Sequence, residues 1–431
     1  MGVFIFPRKT NNHDHFIIHD AVTRGAIAIL CEREVYQVSV LQIIVPDVVI
    51  AFARIAQLHR RKHTCPVIAL TGSNGKTTTK DMIASILPQH SLATPGNFNN
   101  HFGVPQTVLT LEQKHRYAVF ELGANHPQEI AHTAAIVEPQ VALINNIAPA
   151  HMEGFGSLDG IARAKGELYE QLAPGMTAIV NEDDQYAHFW DPILANKNVL
   201  RFSRKTQMDV YASEIQFDAQ ACAQFKLVLP HAEAYIHLNV PGEHMISNAL
   251  AAAACAHAVD ISMDEIVAGL NCFQGVFGRL TFIPGQKQAV VINDTYNANL
   301  RSVLVALEVL RARKGVRIFV FGDMGELGHW TGAHHEQVGL ASRQYGIERL
   351  MTYGQHSAVA TEAFGNGAIH YESKSALIAA LLADMNAHTT VLVKGSRAAH
   401  MEEVVYAIIA TSAYISFLGL DAYFQSTSSL I

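Results

Sequence analysis

The stretch TGSNGKTTT at residues 71–79 stands between an apolar run and a helical pattern. The run at residues 66–71, PVIALT, predicts a strand, and residues 76–87 predict a helix. A strand, a glycine-containing loop and a helix in this order are typical of a phosphate-binding loop, because loop N–H groups and the helix dipole attract an anion. We therefore predict nucleotide binding, although the strict Walker pattern has a glycine where this chain has Leu70.

Each polar or glycine position of this loop has a predicted role in holding phosphate. The glycines permit a tight turn, the lysine faces the terminal phosphates, and the first threonine offers a hydroxyl to Mg²⁺. The alternative is a helix-start turn that matches GK[ST] by chance. The loop alone does not distinguish a kinase from an ATPase or a ligase. The predicted nucleotide-binding residues of the loop are Gly72, Ser73, Asn74, Gly75, Lys76, Thr77 and Thr78.

Strands alternate with helices on both sides of a central antiparallel stretch. The first series has strands at 117–122, 141–147 and 177–181 and helices at 127–137 and 161–172. This alternation predicts a parallel sheet with helices on both faces. Short alternating runs at residues 208–240 predict antiparallel strands, followed by a helix at 244–258 and a capping box at Ser262 and Glu265.

A second strand-helix series after Pro284 predicts a separate Rossmann-like domain. Its strands are expected at 289–294, 316–321, 349–353 and 390–394. Its helices are expected at 300–312, 335–345, 375–384 and 398–409.

The bulk composition excludes several classes of protein. The chain has 431 residues, is 49% hydrophobic and carries a formal net charge of −7 without a basic stripe, so we expect no nucleic-acid partner. Five scattered cysteines without CxxC spacing favour a reducing compartment over disulfides or zinc. The polar N-terminus is unlike a signal peptide, and the apolar run at 406–420 is too short to span a membrane. We expect a cytoplasmic protein and a monomer.

Nine further segments follow the loop in an order that resembles the Mur ligase family, from about residue 2 to residue 405. They are GNFNNHFGVP (96–105), ELGANHPQEI (121–130), NNIAPAHMEGFGS (145–157), AKGELY (164–169), PGEHMISNALAAAA (241–254), FGR (277–279), NDTYNAN (293–299), FGDMGELG (321–328) and VKGSR (393–397).

The resemblance implies a three-domain α/β architecture. Residues 1–64 would form a truncated N-terminal domain for a UDP-linked substrate, and residues 65–284 a central P-loop ATPase-like domain with a parallel sheet. Residues 285–410 would form the Rossmann-like C-terminal domain, and 411–431 an atypical tail. The remnant VFIFPRKTNNHDHF lacks two motifs usual in that N-terminal domain, a glycine after the lysine and an early Asp-[ST]-Arg.

The resemblance also implies two Mg²⁺ ions bound with ATP. The implied metal ligands are Thr77, Glu121 and His151, together with Lys165 if that lysine carries a carbamate. From the residues alone, Glu121 or His151 would be read as a solvated loop residue, and Lys165 as a surface lysine near Glu167. The implied catalytic residues are Lys76, His151, Lys165 and Arg279.

Four residues further along resemble nucleotide contacts: His244, Asn248, Arg279 and Asp294. Taken singly, His244 is equally typical of a helix cap, Arg279 of a surface ion pair and Asp294 of a strand-end turn. Taken together they imply that ATP lies between two domains that close upon it.

The C-terminal motifs resemble the branch of the family that adds D-alanyl-D-alanine, and the DNPR-type motif of the diaminopimelate-adding branch is absent from the sequence. The implied reaction joins this dipeptide to UDP-N-acetylmuramoyl-tripeptide through an acyl phosphate. Substrate contacts are implied for Asn297, Lys394, Ser396 and Arg397. The competing hypothesis is a shortened paralogue that binds nucleotide but lacks efficient acceptor binding.

Overall fold

The computed structural model describes residues 2–5, 14–149, 152–218 and 221–410. His151 and the tail 411–431, both singled out in the sequence, lie outside these residues. The described ranges form three sheets. None of the helices within them is long and apolar enough to cross a bilayer. All five cysteines fall in the described ranges and are free thiols, as the sequence predicts.

The N-terminal unit is a small α/β layer made of β1 (Gly2–Ile5), α1 (Asp14–Thr23), β2 (Ala26–Cys31), β3 (Leu41–Ile44) and α2 (Val48–Arg60). Its three strands are parallel in the order β1-β2-β3. Ile29 packs against Ile18 of α1, whereas Leu30 packs with Phe52 of α2 on the other face. Ala56 of α2 is part of the core of the next sheet, so this helix joins the two units.

The central unit contains β4 (Val67–Thr71), α3 (Lys76–Ile86), β5 (Ser91–Ala93), α4 (Gly103–Leu109), β6 (Tyr117–Glu121), α5 (Glu129–Val137), β7 (Val141–Ile144), α6 (Met152–Phe155), α7 (Leu158–Gln171), β8 (Thr177–Asn181), α8 (Asp191–Leu194), β9 (Asn198–Ser203), β10 (Val210–Phe217), β11 (Cys222–Leu229), β12 (Ala232–Pro241), α9 (His244–His257) and α10 (Met263–Cys272). The nine strands form one sheet in the order β12-β11-β10-β9-β8-β7-β4-β6-β5. The strands from β5 to β10 are parallel, and β10, β11 and β12 are antiparallel, as predicted.

Strand β4 lies at the point where the strand order reverses. The chain passes from β4 to β5 and β6 on one side and then crosses to β7 on the other. Ile68 and Leu70 pack in the core that contains α3 and α9, whereas Val67 and Ala69 pack in the core that contains α5 and α7. Because both faces of β4 are covered, a ligand can reach it only at its carboxyl end, where the phosphate loop begins.

The C-terminal unit contains β13 (Thr281–Pro284), β14 (Val290–Asp294), α11 (Leu300–Arg311), β15 (Val316–Gly322), α12 (Thr331–Gln344), β16 (Arg349–Tyr353), α13 (Ala358–Phe364), β17 (Ala368–Tyr371), α14 (Lys374–Asp384), β18 (Thr389–Lys394) and α15 (Glu402–Ile408). The strand order is β13-β14-β18-β15-β16-β17, with only β13 antiparallel to its neighbour. Alternate residues of β15 face two separate cores, which confirms a sheet covered on both faces.

The structure departs from the predicted elements at a few boundaries. The strand predicted at 141–147 ends at Ile144, and the helix predicted at 398–409 begins only at Glu402. The helix starts late because His400 has a φ of 48°, which a right-handed helix does not accommodate. The sequence interpretation missed β5, α4, α6, α8, β9, β13, α13 and β17, of which β5 and β13 are only three and four residues long. Since β13 pairs with β14, the C-terminal sheet includes residues ahead of position 285.

Candidate active site

The phosphate loop runs from the end of β4 to the first turn of α3. Gly72 and Gly75 have φ values of 154° and 75°, in the region that favours glycine. A Cβ on Gly75 would lie 2.6 Å from Nδ2 of Asn145 and 2.7 Å from Oδ1 of Asn248. Both the backbone conformation and the close approach of neighbouring side chains therefore require glycine at position 75. The first N–H groups of α3 have no intrahelical partner and face the open end of the sheet.

An asparagine pair that follows β7 holds this loop in place. The Nδ2 groups of Asn145 and Asn146 donate to the backbone oxygen of Asn74 at 2.9 and 3.0 Å, and Oδ1 of Asn146 accepts the N–H of Asn74. The hydroxyl of Ser73 donates to the backbone oxygen of Ala148 and accepts its N–H, both at 2.9 Å. The sequence interpretation missed the roles of Asn145 and Asn146, although their position after a parallel strand next to β4 is a usable signal.

Lys76 turns back over the loop. Its Nζ donates to the backbone oxygen of Gly72 at 2.7 Å. Burial lowers the pKa of Lys76, with nearby Glu121 opposing that shift and Arg279 adding to it. The ammonium group thus lies against the backbone of the phosphate loop, close to Glu121 and Arg279.

Thr77 and Arg279 bring the central unit and the segment leading into the C-terminal unit together. Nη2 of Arg279 donates to the Thr77 hydroxyl at 2.9 Å. The guanidinium group lies 4.0 Å from the ring centroid of Tyr296, a cation–π contact that fixes its plane. A positive group is therefore held at the side of the phosphate loop by a residue that the sequence places about 200 positions away.

Glu121 provides a buried carboxylate beside the loop. One oxygen accepts Nδ2 of Asn99 at 2.8 Å, and Oε2 has no hydrogen-bond partner among the described residues. An orphaned carboxylate oxygen and the Thr77 hydroxyl are hard donors of the kind that Mg²⁺ takes together with phosphate oxygens and water. The residues present therefore fit Mg²⁺. The described residues contain no group of three or more His, Cys, Asp or Glu side chains that could hold a metal by itself.

Lys165 of α7 is fully buried rather than on the surface, which corrects the simpler interpretation from the sequence. The nearby Glu167 accepts the N–H groups of Gln128 and Ala131 at the start of α5, at 2.7 and 2.9 Å. Burial, reinforced by Lys76, lowers the pKa of Lys165 well below its ordinary value. The structure thus holds an amine beside the phosphate loop in a setting that favours its neutral form.

His244 and Asn248, one turn apart on α9, line the same cleft as the phosphate loop. Oδ1 of Asn248 accepts Nδ2 of Asn145 at 3.1 Å, so Asn248 is already tied to the asparagine pair. Burial lowers the pKa of His244 to about 4, with Asp294 opposing that shift. His244 is therefore a neutral imidazole at neutral pH.

Asp294 and Lys394 end the neighbouring parallel strands β14 and β18 and lie opposite each other in register. Nζ of Lys394 donates to Oδ2 of Asp294 at 2.5 Å and to the backbone oxygen of Asn297 at 2.9 Å. Oδ1 of Asp294 accepts the N–H of Leu280. The two residues, for which the sequence implied a nucleotide contact and a substrate contact, form one buried ion pair at the wall of the cleft.

Ser396 and Arg397 do not lie in this cleft. Ser396 lines a second cleft of about 560 Å³ in the C-terminal unit, formed chiefly by the loop at residues 323–328 and the segments around Gly354 and Ala399. Arg397 is exposed and pairs with Glu402 at 2.9 Å. The predicted substrate set is therefore divided, with Asn297 and Lys394 in the main cleft and Ser396 in the second cleft.

The main cleft has a volume of about 1000 Å³ and lies between the central and C-terminal units. Two C-terminal residues that the sequence interpretation missed close onto the central unit. Nδ2 of Asn299, the N-cap of α11, donates to Oδ1 of Asn74 at 2.9 Å, and Arg301 donates to the backbone oxygen of Ile147. A phosphate loop completed by a second α/β unit, with fixed cations and one orphaned carboxylate beside it, is the arrangement of an ATP-dependent ligase rather than of a simple P-loop ATPase.

Comparisons with known proteins agree with this class. Residues 70–256 match the family model of the Mur ligase middle domain, and residues 278–397 match that of the Mur ligase, glutamate ligase domain. The chain is 40% identical over 417 residues to the UDP-N-acetylmuramoyl-tripeptide--D-alanyl-D-alanine ligase of Haemophilus influenzae, with 94% of this chain and 90% of the relative covered. It is 42% identical to the enzyme of that name from Escherichia coli, with coverage of 92% and 89%. A crystal structure of MurF from Acinetobacter baumannii superposes with a TM-score of 0.87 at 36% identity, covering 94% of this chain and 89% of that one.

The chain belongs to the Mur ligase family, in the group of UDP-N-acetylmuramoyl-tripeptide--D-alanyl-D-alanine ligases.

Proposed function

We propose that the protein joins D-alanyl-D-alanine to UDP-N-acetylmuramoyl-tripeptide with cleavage of ATP to ADP and phosphate. The observation that carries the proposal is the contact of Arg279 with Thr77, which holds a cation from the domain junction against the phosphate loop. A protein that binds a nucleotide without transferring its phosphate has no need of a fixed cation at this position.

In the first step a carboxylate oxygen of the tripeptide attacks the γ-phosphorus of ATP. The bond between that phosphorus and the bridging oxygen breaks, and ADP leaves with the electron pair. Two anions must approach each other, so fixed positive charge is the main requirement. Lys76 and Arg279 provide it, and both are held by contacts with the loop before any ligand binds.

Glu121 and Thr77 are the described residues that would hold Mg²⁺. When bound, the ion would neutralise charge on the phosphate oxygens. Asn99 orients the Glu121 carboxylate by holding its other oxygen, which leaves Oε2 directed to a ligand.

In the second step the neutral amine of the dipeptide adds to the acyl carbon. The tetrahedral intermediate loses one proton and expels phosphate, which leaves the new amide. The dipeptide would lie in the second cleft. Lys394 at the end of β18 lines the main cleft, and Ser396, only two residues further on, lines the second cleft. Because the same strand end contributes to both clefts, an amine bound in the second cleft would reach an acyl group bound in the main cleft.

A carbamate on Lys165 is part of the proposal. Formation of the carbamate joins the amine nitrogen to the carbon of CO₂ and releases one proton, so it requires a neutral amine. The lowered pKa of Lys165 favours that form. The resulting anion would lie close to Lys76 and would offer oxygens to a second Mg²⁺.

Phosphate release measured with each substrate omitted in turn tests the function. We expect release only when ATP, the UDP-linked tripeptide and D-alanyl-D-alanine are all present, with the pentapeptide product confirmed by mass. Lys76→Ala should lower kcat by about a hundredfold or more, the effect of losing one fixed electrostatic donor. Lys314→Ala, at an exposed lysine, is the control. Release that does not depend on the dipeptide would contradict the assignment.

A further inference from the structure

His335 is a completely buried histidine of α12 that lies outside both clefts. Its ring packs against Phe321 of the neighbouring strand, with the centroids 5.7 Å apart. Its two nitrogens make two different hydrogen bonds. Nδ1 lies 2.7 Å from the backbone oxygen of Thr331, one turn earlier in α12, and Nε2 accepts the N–H of Met324 at 3.0 Å.

These contacts determine the tautomer of the ring. A carbonyl oxygen only accepts a hydrogen bond, so Nδ1 must carry the proton. Nε2 then has a lone pair for Met324, a bond that a doubly protonated imidazolium could not accept. Burial, the principal cause, lowers the pKa of His335, which keeps the ring in this neutral form.

The Met324 N–H belongs to the loop that forms one wall of the second cleft. The residue before it, Asp323, joins the other two walls. Its carboxylate accepts the N–H groups of His356 and Ser357 at 3.0 and 2.8 Å, and its backbone oxygen accepts the N–H of Ser396 at 2.8 Å. Three segments of the cleft therefore meet at residues 323–324, and His335 ties this point to helix α12 by a hydrogen bond.

We propose that His335 is a positioning residue for the amine substrate: it sets the shape of the second cleft by holding residues 323–324 against α12, without touching the dipeptide. This inference rests on the proposed function, since it takes the second cleft as the site of D-alanyl-D-alanine. Loss of the bond should loosen the cleft wall and weaken dipeptide binding. ATP and the UDP-linked tripeptide bind elsewhere, so their binding should not change.

Three substitutions separate the two ends of the ring. His335→Leu removes both hydrogen bonds, His335→Asn places an amide near the Nδ1 position and reaches only Thr331, and His335→Gln extends far enough to accept from Met324. Ser342→Ala is the matched control, because it removes another buried hydrogen bond of α12, to the backbone oxygen of Val338, that does not reach the loop.

The measurement is KM for each of the three substrates by phosphate release. We expect KM for D-alanyl-D-alanine to rise about tenfold or more in His335→Leu and His335→Asn, as for a buried N–H left without an acceptor. His335→Gln should recover most of this loss, and KM for ATP and for the precursor should stay within about twofold throughout. Ser342→Ala should match the wild type.

Two results would overturn the inference. One is an unchanged dipeptide KM in His335→Asn. The other is a rise in all three KM values that Ser342→Ala shares, since that would reflect general loosening of α12. Should His335→Leu not fold, the comparison of His335→Asn with His335→Gln decides alone. A wild-type enzyme whose phosphate release ignores D-alanyl-D-alanine would instead refute the proposed function.

Discussion

Removal of the Lys394 charge should destabilise the C-terminal sheet far more than removal of an ion pair at its surface. The side chains of Lys394 and Asp294 are 2% and 11% exposed, and their charged atoms lie 2.5 Å apart. In Lys394→Met the Asp294 carboxylate would keep only the N–H of Leu280 as a partner. Breaking a buried pair from one side costs about 3–5 kcal/mol, which is roughly a hundredfold to a few thousandfold in the unfolding equilibrium.

The assay is native-state hydrogen exchange of the slowest amides in β14 and β18. A chain with three units does not unfold in one two-state step, so a local measurement is needed. The double variant Lys394→Met with Asp294→Asn should recover about 2 kcal/mol of the loss, because no buried charge remains and the asparagine amide can still accept from Leu280.

Arg349→Met is the control in the same sheet. Arg349 of β16 pairs with Asp384 at the same 2.5 Å, but these side chains are 34% and 27% exposed. The expected loss is at most about 1 kcal/mol. Two results would show that burial does not determine the contribution of the Lys394–Asp294 pair to stability. One is an equal loss of hydrogen-exchange protection in Lys394→Met and Arg349→Met. The other is a double variant that is no more protected than Lys394→Met.

Three further predictions concern the main cleft and the buried Lys165 beside the phosphate loop. Lys165→Arg should be inactive, because a guanidinium group cannot form a carbamate. Lys165→Ala should regain part of its activity when short carboxylic acids are added. Full turnover of Lys165→Arg would exclude the carbamate. In Asn299→Ser the serine still caps the N–H of Ser302 but cannot reach Asn74. Because the lost hydrogen bond contributes about 0.5–1.5 kcal/mol, ATP affinity measured by titration should fall about two- to tenfold. Unchanged affinity would mean that the contact is incidental. The pKa of His244 is about 4 in the folded protein and about 6.5 when unfolded. Between these two pH values the unfolded state binds more protons, so the stability of the folded protein falls as pH is lowered from about 6.5 towards about 4. In His244→Gln the thermal midpoint should therefore depend less on pH over that range. Parallel curves of midpoint against pH for the two proteins would refute the assignment.

The phosphate loop and most of the regular elements were predictable because they depend on local pattern. The strands at 177–181 and 349–353 match the prediction at both ends, and the capping box at Ser262 is present. Apolar runs flanked by glycine or polar residues specify such strands without tertiary information. The short strands β5 and β13 were missed because they hold too few residues to establish a period.

The partners of the charged residues were not predictable, since they depend on which strands become neighbours. Asp294 and Lys394 are 100 positions apart and meet only because β14 and β18 are adjacent in the sheet. Arg397, for which the sequence implied a substrate contact, is paired with Glu402 at the surface. His335 lies in the middle of a helix, where no periodicity distinguishes a positioning histidine from an ordinary buried one.

The motif VKGSR, residues 393–397, contributes side chains to both clefts. A Cβ on Gly395 would lie 2.6 Å from Cγ of Met401 and 3.3 Å from the Cα of Gly322, which ends β15. A side chain at position 395 would thus push β18 away from β15 or displace Met401, which is fully buried. Because Gly395 lets the strand ends stay together, Lys394 can remain on Asp294 in the main cleft while the Ser396 N–H reaches Asp323 at the second cleft. The glycine between the two polar residues therefore sets the distance between the residues that line the main cleft and those that line the second cleft.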